Sequence, residues 1–236
     1  WMAPVKWNRD AEKAGVRAKV FCASMADVFE GRDDLRSERA RLWEVIKSTP
    51  WLDWLLLTKR PENIQRMLPD GWRQYPQHNV WLGTTVENQE QANTRIPELL
   101  RVPATFRFLS CEPLLGPVDL VLNRYSNGSR QTEVNQDVLR GAQEHYANGT
   151  VYKASLGSRI HWVIAGGESG FGARPMHPDW AQSLRDQCAA AGVAFHFKQW
   201  GEWLPWMEFN EAHVDDDIES SRYLACYFAG GKWTEP

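Results

Sequence analysis

The sequence has few cysteines, and their spacing is not that of a disulfide framework or a CxxC motif. The 236 residues contain Cys22, Cys111, Cys188 and Cys226, and no two of these form a CxxC pair. Cysteines scattered in this way exclude the disulfide framework of a small secreted domain. They indicate reduced thiols in a cytosolic protein. They also predict that the cysteines of this chain bind no [4Fe-4S] cluster by themselves.

Long apolar runs and metal-ligand spacings are also missing. No stretch of about 18 apolar residues occurs, and the opening WMAPVKWNRD lacks the apolar centre of a signal peptide. We therefore expect a cytoplasmic protein without a membrane partner. The histidines form neither HxH nor HExxH, so the sequence predicts no zinc site and no other metal site.

Charge of one sign is not in excess. The chain has 27 basic and 30 acidic residues, which gives a formal net charge of -3 at pH 7. This balance provides no global attraction to nucleic acid, so any such binding requires a local basic face. A small-molecule substrate, a nucleic-acid substrate and a protein partner all remain compatible with the composition.

Six short apolar runs with polar carboxyl ends are the main feature that is present. Near-continuous apolar runs followed by helical periodicity are typical of parallel strands covered on both faces. The sequence predicts a single α/β domain over residues 1–236, built as a partial or open (β/α) barrel. A doubly wound sheet is the alternative. The runs occupy residues 20–27, 54–61, 80–88, 106–113, 162–170 and 195–203.

The choice of a barrel depends on the run GGESGFGARP, which follows the fifth apolar run. Its glycines permit close backbone approach to a ligand, as in a late anion-binding loop of a barrel. The run is not GxGxxG, and it comes too late in the chain for the fingerprint of a first-strand dinucleotide site.

Two segments break the pattern of alternating strands and helices. Residues 123–159 are polar and predict an insertion, with a short helix at about 134–147. This insertion is either a solvated loop or a lid or partner contact. Residues 204–236 predict a C-terminal extension that ends in a hairpin and packs on the barrel.

The polar ends of the six runs predict a shared site, because the carboxyl ends of parallel strands meet at one rim. Cations there bind anions, and carboxylates or histidine transfer protons. The expected ligand- or cofactor-binding residues are Ser24, Asp27, Thr58, Lys59, Arg60, Thr84, Thr85, Gly166, Gly167, Ser169, Arg174 and Lys198. The expected catalytic residues are Glu87, Glu112, Glu168 and His177.

Each of these residues also has a structural explanation. A lone polar residue at a strand end is often a helix cap or a member of a surface ion pair. His177 in particular lies in HPDW, which is typical of the start of a helix, with an acidic residue in the first turn.

Seven blocks of the sequence resemble the phage gene-product thirty-seven/sixty-eight family of phages and bacteria, which has an uncharacterised domain. Apart from residues 123–159, they cover nearly the whole chain. The resemblance implies a further segment upstream with three closely spaced cysteines, so either this chain lacks its natural amino terminus or this member has lost the motif. The blocks are KWNR, VFCASMADVF, LDWLLLTKRPENI, NVWLGTTVENQ, RFLSCEPLLGPVDL, GGESGFGARPMHPDW and FKQWGEW.

The order of the blocks also resembles radical S-adenosylmethionine enzymes of the spore photoproduct lyase-like branch. This resemblance implies a partial barrel in which LLLTKRP is the third strand and VWLGTTVEN the fourth. It implies S-adenosylmethionine and a [4Fe-4S] cluster as cofactors of the full-length protein.

The activity implied by this resemblance is that of a lyase or transferase. The resemblance to a phage family, together with the cations Lys59, Arg60 and Arg174, predicts that it acts on a nucleotide, a nucleic acid or a modified base. A phage-encoded member would work in the host cytoplasm. Two alternatives stay open. One is a non-catalytic barrel that binds nucleic acid or a partner protein. The other is a cluster-free hydrolase or lyase that uses Glu87, Glu112 or Glu168.

Overall fold

The computed structural model describes residues 2–22, 26–125, 132–147, 150–205, 224–229 and 232–234. The helices are α1 (Ala3–Ala14), α2 (Arg36–Ser48), α3 (Ile64–Met67), α4 (Gln89–Arg101) and α5 (Pro178–Ala191). The first strands are β1 (Ala18–Cys22), β2 (Leu52–Thr58), β3 (Val80–Thr85), β4 (Phe106–Cys111), β5 (Val121–Tyr125), β6 (Thr132–Asp137), β7 (Ala142–Ala147) and β8 (Thr150–Ser155). The remaining strands are β9 (Trp162–Gly166), β10 (Ala194–Gln199), β11 (Trp203–Pro205), β12 (Leu224–Ala229) and β13 (Lys232–Thr234).

The main sheet consists of six strands in the order β1-β2-β3-β4-β9-β10, and every neighbouring pair is parallel. Apart from the segment between β4 and β9, each strand lies beside its predecessor in the chain, with a helix between them. A doubly wound sheet would reverse this order at a switch point. The consecutive order is instead that of a barrel left open on one side. The α/β half-barrel with six parallel strands is therefore confirmed.

Successive side chains of each main-sheet strand point to opposite faces of the sheet. One face packs on the helices, where Leu56 of β2 belongs to the same buried cluster as Ile46 of α2. The inner face of the half-barrel holds a second cluster, formed by Leu55, Phe108 and Ile164. Both faces are apolar over most of their length. This explains the near-continuous apolar runs in the sequence.

The inserted segment is β structure, and the predicted helix at about 134–147 is wrong. Strands β5 to β8 form a four-stranded antiparallel sheet, in which β6 pairs with β7. Val134, Gln136 and Val138 are buried, and this period of two is that of a strand. Gly141, with φ of 65°, supplies the left-handed residue of the turn before β7.

The C-terminal extension contains the predicted hairpin, since β12 pairs antiparallel with β13. Strand β11 pairs parallel with β12. The packing of the extension on the barrel, like the division into one barrel domain with an insertion, stays a prediction. Among the described residues, no helix has the length and apolar character needed to cross a membrane.

The loops that follow β9 and β10 touch each other through their backbones. The Gly167 N–H donates to the carbonyl oxygen of Gln199 at 2.9 Å. A Cβ added to Gly167 would lie 1.7 Å from the Trp200 carbonyl oxygen, and one added to Gly201 would lie 2.1 Å from the Glu168 carbonyl oxygen. No side chain fits between these two segments. Glycine is therefore required for the contact between the loops.

We expect Gly167→Ala to lower the free energy of unfolding by about 2 kcal/mol or more, because the clash is with backbone that cannot move aside. Gly116→Ala is the matched control, since its Cβ would meet the Asn88 side chain at an ordinary 3.6 Å. That control should stay within about 0.5 kcal/mol of the parent protein. Urea unfolding followed by circular dichroism measures both variants. If both variants lost the same free energy of unfolding, a special requirement for glycine at position 167 would be contradicted.

Candidate functional site

A cleft of about 590 Å³ opens where the carboxyl ends of the main-sheet strands meet. Cavities of this size and position are typical of ligand sites in α/β folds. From the inner face of the sheet it is lined by Phe21, Leu57, Thr85, Ser110 and Lys198. From the residues at and beyond the strand ends it is lined by Asp27, Glu30, Thr58, Lys59, Arg60 and Glu112. We call this cavity the rim cleft.

Asp27 ties the loop after β1 to the end of β2. Its carboxylate accepts hydrogen bonds from Thr58 Oγ1 at 2.7 Å, from the Lys59 backbone N–H at 3.2 Å and from Arg60 Nη1 at 2.9 Å. The Phe29 backbone N–H donates to the same carboxylate at 2.9 Å. Asp27 therefore fixes the positions from which the two cations extend.

Pro61 disfavours helical backbone at the residue before it, Arg60. Lys59 and Arg60 therefore lie between the end of β2 and the next turn, outside any helix. Arg60 has φ of -129° and ψ of 60°, and a short 3₁₀ turn begins at Pro61. The Lys59 side chain is 58% exposed and that of Arg60 is 42% exposed. The ammonium group of lysine has three N–H donors, and the guanidinium group of arginine has five. Both side chains therefore keep donors for a ligand in the rim cleft.

Glu87 lies beneath the rim and neutralises two cations. Its carboxylate accepts from Lys59 Nζ at 2.9 Å, from Arg95 Nη1 at 2.7 Å and from Thr85 Oγ1 at 3.1 Å. Burial by itself would raise the pKa of Glu87. The hydrogen bond from Lys59 and the charge of Arg95 outweigh burial and hold this pKa below its usual range. Glu87 is therefore ionised at neutral pH.

A second ion pair crosses the rim between β4 and β10. Lys198 Nζ donates to Glu112 Oε1 at 2.9 Å. Gly166 of β9, the strand between them, leaves room for this pair, because a Cβ there would lie 3.3 Å from the Glu112 carboxyl carbon. Gln199 Nε2 donates to Glu112 Oε1 at 3.4 Å and to Ser169 Oγ at 3.0 Å. Gly166 and Ser169 thus support the pair on one side of the cleft.

Glu168 and Arg174 pair with each other and do not line the rim cleft. Arg174 donates through Nε, Nη2 and its backbone N–H to the Glu168 carboxylate at 2.7 to 2.8 Å. These bonds lower the pKa of Glu168 to about 2. His177 Nδ1 accepts from the Asp179 N–H at 3.1 Å and so caps α5. Capping of α5 therefore explains why a histidine lies at position 177, and a catalytic role for His177 stays a prediction.

The structure thus brings together about half of the expected site residues. Those that line the rim cleft are Asp27, Thr58, Lys59, Arg60, Thr85, Glu112 and Lys198. Thr84 points to the helix-facing side and donates to the Thr58 carbonyl oxygen at 2.9 Å. Gly167 forms the contact between the loops after β9 and β10. Ser24 lies outside the described residues.

Sequence reasoning missed Phe21, Leu57 and Arg95. Phe21 and Leu57 lie one residue before the strand ends that it did examine, on the inner face. The alternation of strand side chains could have found both of them. Arg95 lies in the second turn of α4. No local motif marks that position.

The described cysteines do not fit a cluster site with three thiolate ligands. Cys111 and Cys188 are buried in the core, and Cys22 lies at the end of β1. Burial raises the pKa of Cys22 and of Cys188 to about 11, and that of Cys111 further, which favours the neutral thiol. Across the part of the chain that the structure describes, no three His, Cys, Asp or Glu side chains are grouped to hold a metal ion.

The ion network around Glu87 predicts a pH-dependent contribution to stability. A carboxylate whose pKa is lowered on folding stabilises the protein above the unfolded-state pKa of about 4.3. This stabilisation is lost as the pH falls through the lower, folded-state value. We expect Glu87→Gln to lower the free energy of unfolding by about 2 kcal/mol at pH 7, because Arg95 and Lys59 lose their counter-ion. The difference in free energy of unfolding between Glu87→Gln and the parent protein should become smaller below about pH 4.5.

Denaturant unfolding at a series of pH values from neutral to acidic measures this difference. Glu44→Gln is the matched control, because Glu44 pairs with Lys47 on the surface and is 72% exposed. Its effect should stay within about 0.5 kcal/mol at every pH. A cost for Glu87→Gln that does not change with pH would show that packing, and not ionisation, gives Glu87 its role.

Comparison with known proteins identifies a family for this chain. Over residues 1–223, the chain matches the family described as "Protein of unknown function (DUF5131)". No curated protein and no solved structure matches it significantly. The family match spans nearly all of the 236 residues, including all six strands of the half-barrel. This chain belongs to the DUF5131 family.

Proposed function

We propose that the rim cleft binds an anionic ligand of nucleotide type, and that the chain is a barrel enzyme acting on a nucleotide, a nucleic acid or a modified base. One observation carries this proposal. Lys59, Arg60 and Lys198 converge on a cleft whose inner face also presents the apolar side chains of Phe21 and Leu57. Cations beside an apolar surface suit a ligand with an anionic group and a flat ring.

The cations would bind the anionic group of the ligand. Arg60 offers a planar fork that matches the oxygens of a phosphate or carboxylate, and Lys198 adds a point charge. Phe21 is 44% exposed and offers its ring to a base. Glu30 and Glu112 would accept hydrogen bonds from ribose hydroxyl or exocyclic amino groups. These groups bind and orient the ligand.

S-adenosylmethionine fits part of this chemistry, because its carboxylate and adenine suit the cations and the apolar side chains. Its ammonium and sulfonium groups are positively charged and would have to face the carboxylates of Glu30 and Glu112. The resemblance to radical S-adenosylmethionine enzymes agrees with the half-barrel and with the TKRP and TVEN segments at adjacent strand ends. A [4Fe-4S] cluster supplies one-electron chemistry where it is bound. Since the described cysteines do not fit that cluster, the roles assigned to this chain are ligand binding and orientation.

A hydrolase that uses the rim carboxylates as general acids has less support. A general acid at neutral pH needs a raised pKa. The pKa values of Glu87 and Glu168 are lowered instead, because each carboxylate accepts hydrogen bonds from a cation. Glu112 also accepts a hydrogen bond from Lys198. The carboxylates at the rim are suited to hold cations in place.

Isothermal titration with S-adenosylmethionine and with ATP tests the proposal. We expect Arg60→Ala, Lys198→Met and Lys59→Ala each to weaken binding of the preferred ligand by about tenfold or more, because each variant removes a cation from the rim. Arg60→Lys should also weaken binding, since the planar fork is lost. Lys47→Ala, on the exposed surface of α2, is the matched control.

Thermal melts of the same variants separate binding from folding. Arg60→Ala also removes the ion pair with Asp27, so a lower melting temperature is expected for it. Lys198→Met keeps the apolar stem of the side chain and should melt close to the parent. Unchanged affinity in all four rim variants, with lowered melting temperatures, would show that these cations are structural. Binding without turnover would favour a non-catalytic barrel.

A further inference from the structure

A second polar pocket lies at the opposite end of the half-barrel, beside the amino-terminal ends of β4 and β9. Its volume is about 360 Å³. Three arginines and one histidine line it together with serine hydroxyl groups, and no acidic side chain is among its lining residues. The residues that matter here are Arg107, Arg140, Arg159, His161, Ser155 and Ser158. We call this cavity the basal pocket.

Arg107 is a buried cation that has no counter-ion in the part of the chain that the structure describes. The residue is 6% exposed, and its Nη2 donates to the Val102 carbonyl oxygen at 2.6 Å. Its Nε is buried and has no hydrogen-bond partner among the described residues. In the described part of the chain, no carboxylate lies within ion-pair distance of Arg107. Burial of an unpaired charge is costly, and burial accordingly lowers the pKa of Arg107.

Of the other two arginines of the basal pocket, one is paired with a carboxylate and one is not. Arg159 is exposed and has no carboxylate partner among the described residues. Arg140 alone is paired, with Asp137 at 2.6 Å. Burial lowers the pKa of His161, and the charges of Arg159 and Arg107 lower it further. The pocket is therefore a positively charged cavity, unlike the rim cleft with its matched ion pairs.

His161 is held in one orientation by its neighbours. Its Nδ1 accepts from the Arg107 backbone N–H at 3.1 Å, and its ring stacks on Phe106 with the centroids 5.0 Å apart. A neutral imidazole that accepts at Nδ1 carries its proton at Nε2. Besides the guanidinium groups, the pocket wall thus contains an imidazole N–H donor and two serine hydroxyl groups.

We propose that the basal pocket binds the phosphate group of a small phosphate monoester. Guanidinium forks match phosphate oxygens in pairs, and hydroxyl and imidazole donors can serve the remaining acceptors. Bound phosphate would supply the counter-ion that Arg107 lacks. A pocket of about 360 Å³ has room for the esterified group as well. The site is separate from the rim cleft, since Arg107 lies near the start of β4 and Glu112 follows its end.

The test uses the full chain with inorganic phosphate, ribose 5-phosphate and ribose, at constant ionic strength set with chloride. We expect inorganic phosphate and ribose 5-phosphate to bind by isothermal titration and to raise the melting temperature, and ribose to do neither. Arg159→Ala should weaken phosphate binding by about tenfold or more and leave the phosphate-free melting temperature unchanged. Arg9→Ala, an exposed arginine of α1, is the control for loss of surface charge.

Arg107→Met separates the proposed role from a structural one. It should abolish the phosphate response and keep or raise the phosphate-free melting temperature, because it removes an unpaired buried charge. Arg60→Ala in the rim cleft should leave phosphate affinity unchanged, so failure at either site is distinguishable from failure at the other. The proposal is overturned if the parent protein does not respond to phosphate, or if Arg159→Ala and Arg107→Met keep the parent affinity.

Discussion

The parallel, consecutive pairing of six strands is the constraint on which the rest of the molecule depends. Because every strand points the same way, all six carboxyl ends reach one rim, and the residues that follow them meet in space. The register makes this specific, since Thr58 pairs with Thr84 and Thr85 with Ser110. An antiparallel neighbour would have sent its polar end to the opposite edge. The rim cleft therefore follows from topology before any side chain is considered.

Charge pairing then determines how rigid the rim is. Lys59, Arg60 and Lys198 each have a carboxylate partner within 3 Å. These partners lie on different segments of the chain, so the ion pairs tie the loops together as well as neutralising charge. A ligand anion would meet cations that are already oriented, which reduces the ordering cost of binding. It would also compete with the resident carboxylates. The rim therefore favours ligands that bring several contacts.

Much of the half-barrel could be predicted from the sequence, because apolar runs with polar ends are local patterns. The partners of the polar residues could not be predicted in this way, since Lys198 and Glu112 lie 86 positions apart in the chain. The short helix predicted at about 134–147 is wrong because polar side chains such as Gln136 fill inward positions, which hides the period of two that marks a strand. The role of Gly167 also depends on a contact with a distant loop, which no local pattern encodes.

The two ends of the half-barrel differ in how their charges are balanced, although the whole chain is close to neutral at a net charge of -3. At the rim, Glu87, Glu112 and Asp27 neutralise the cations, and the folded state does not need a ligand to be electrostatically satisfied. In the basal pocket, the buried Nε of Arg107 has no hydrogen-bond partner within the described ranges of the chain. An anion bound at the rim must replace contacts that the protein already makes. An anion bound between Arg107 and Arg159 would displace no carboxylate of the described residues, so its binding would stabilise the fold by mass action.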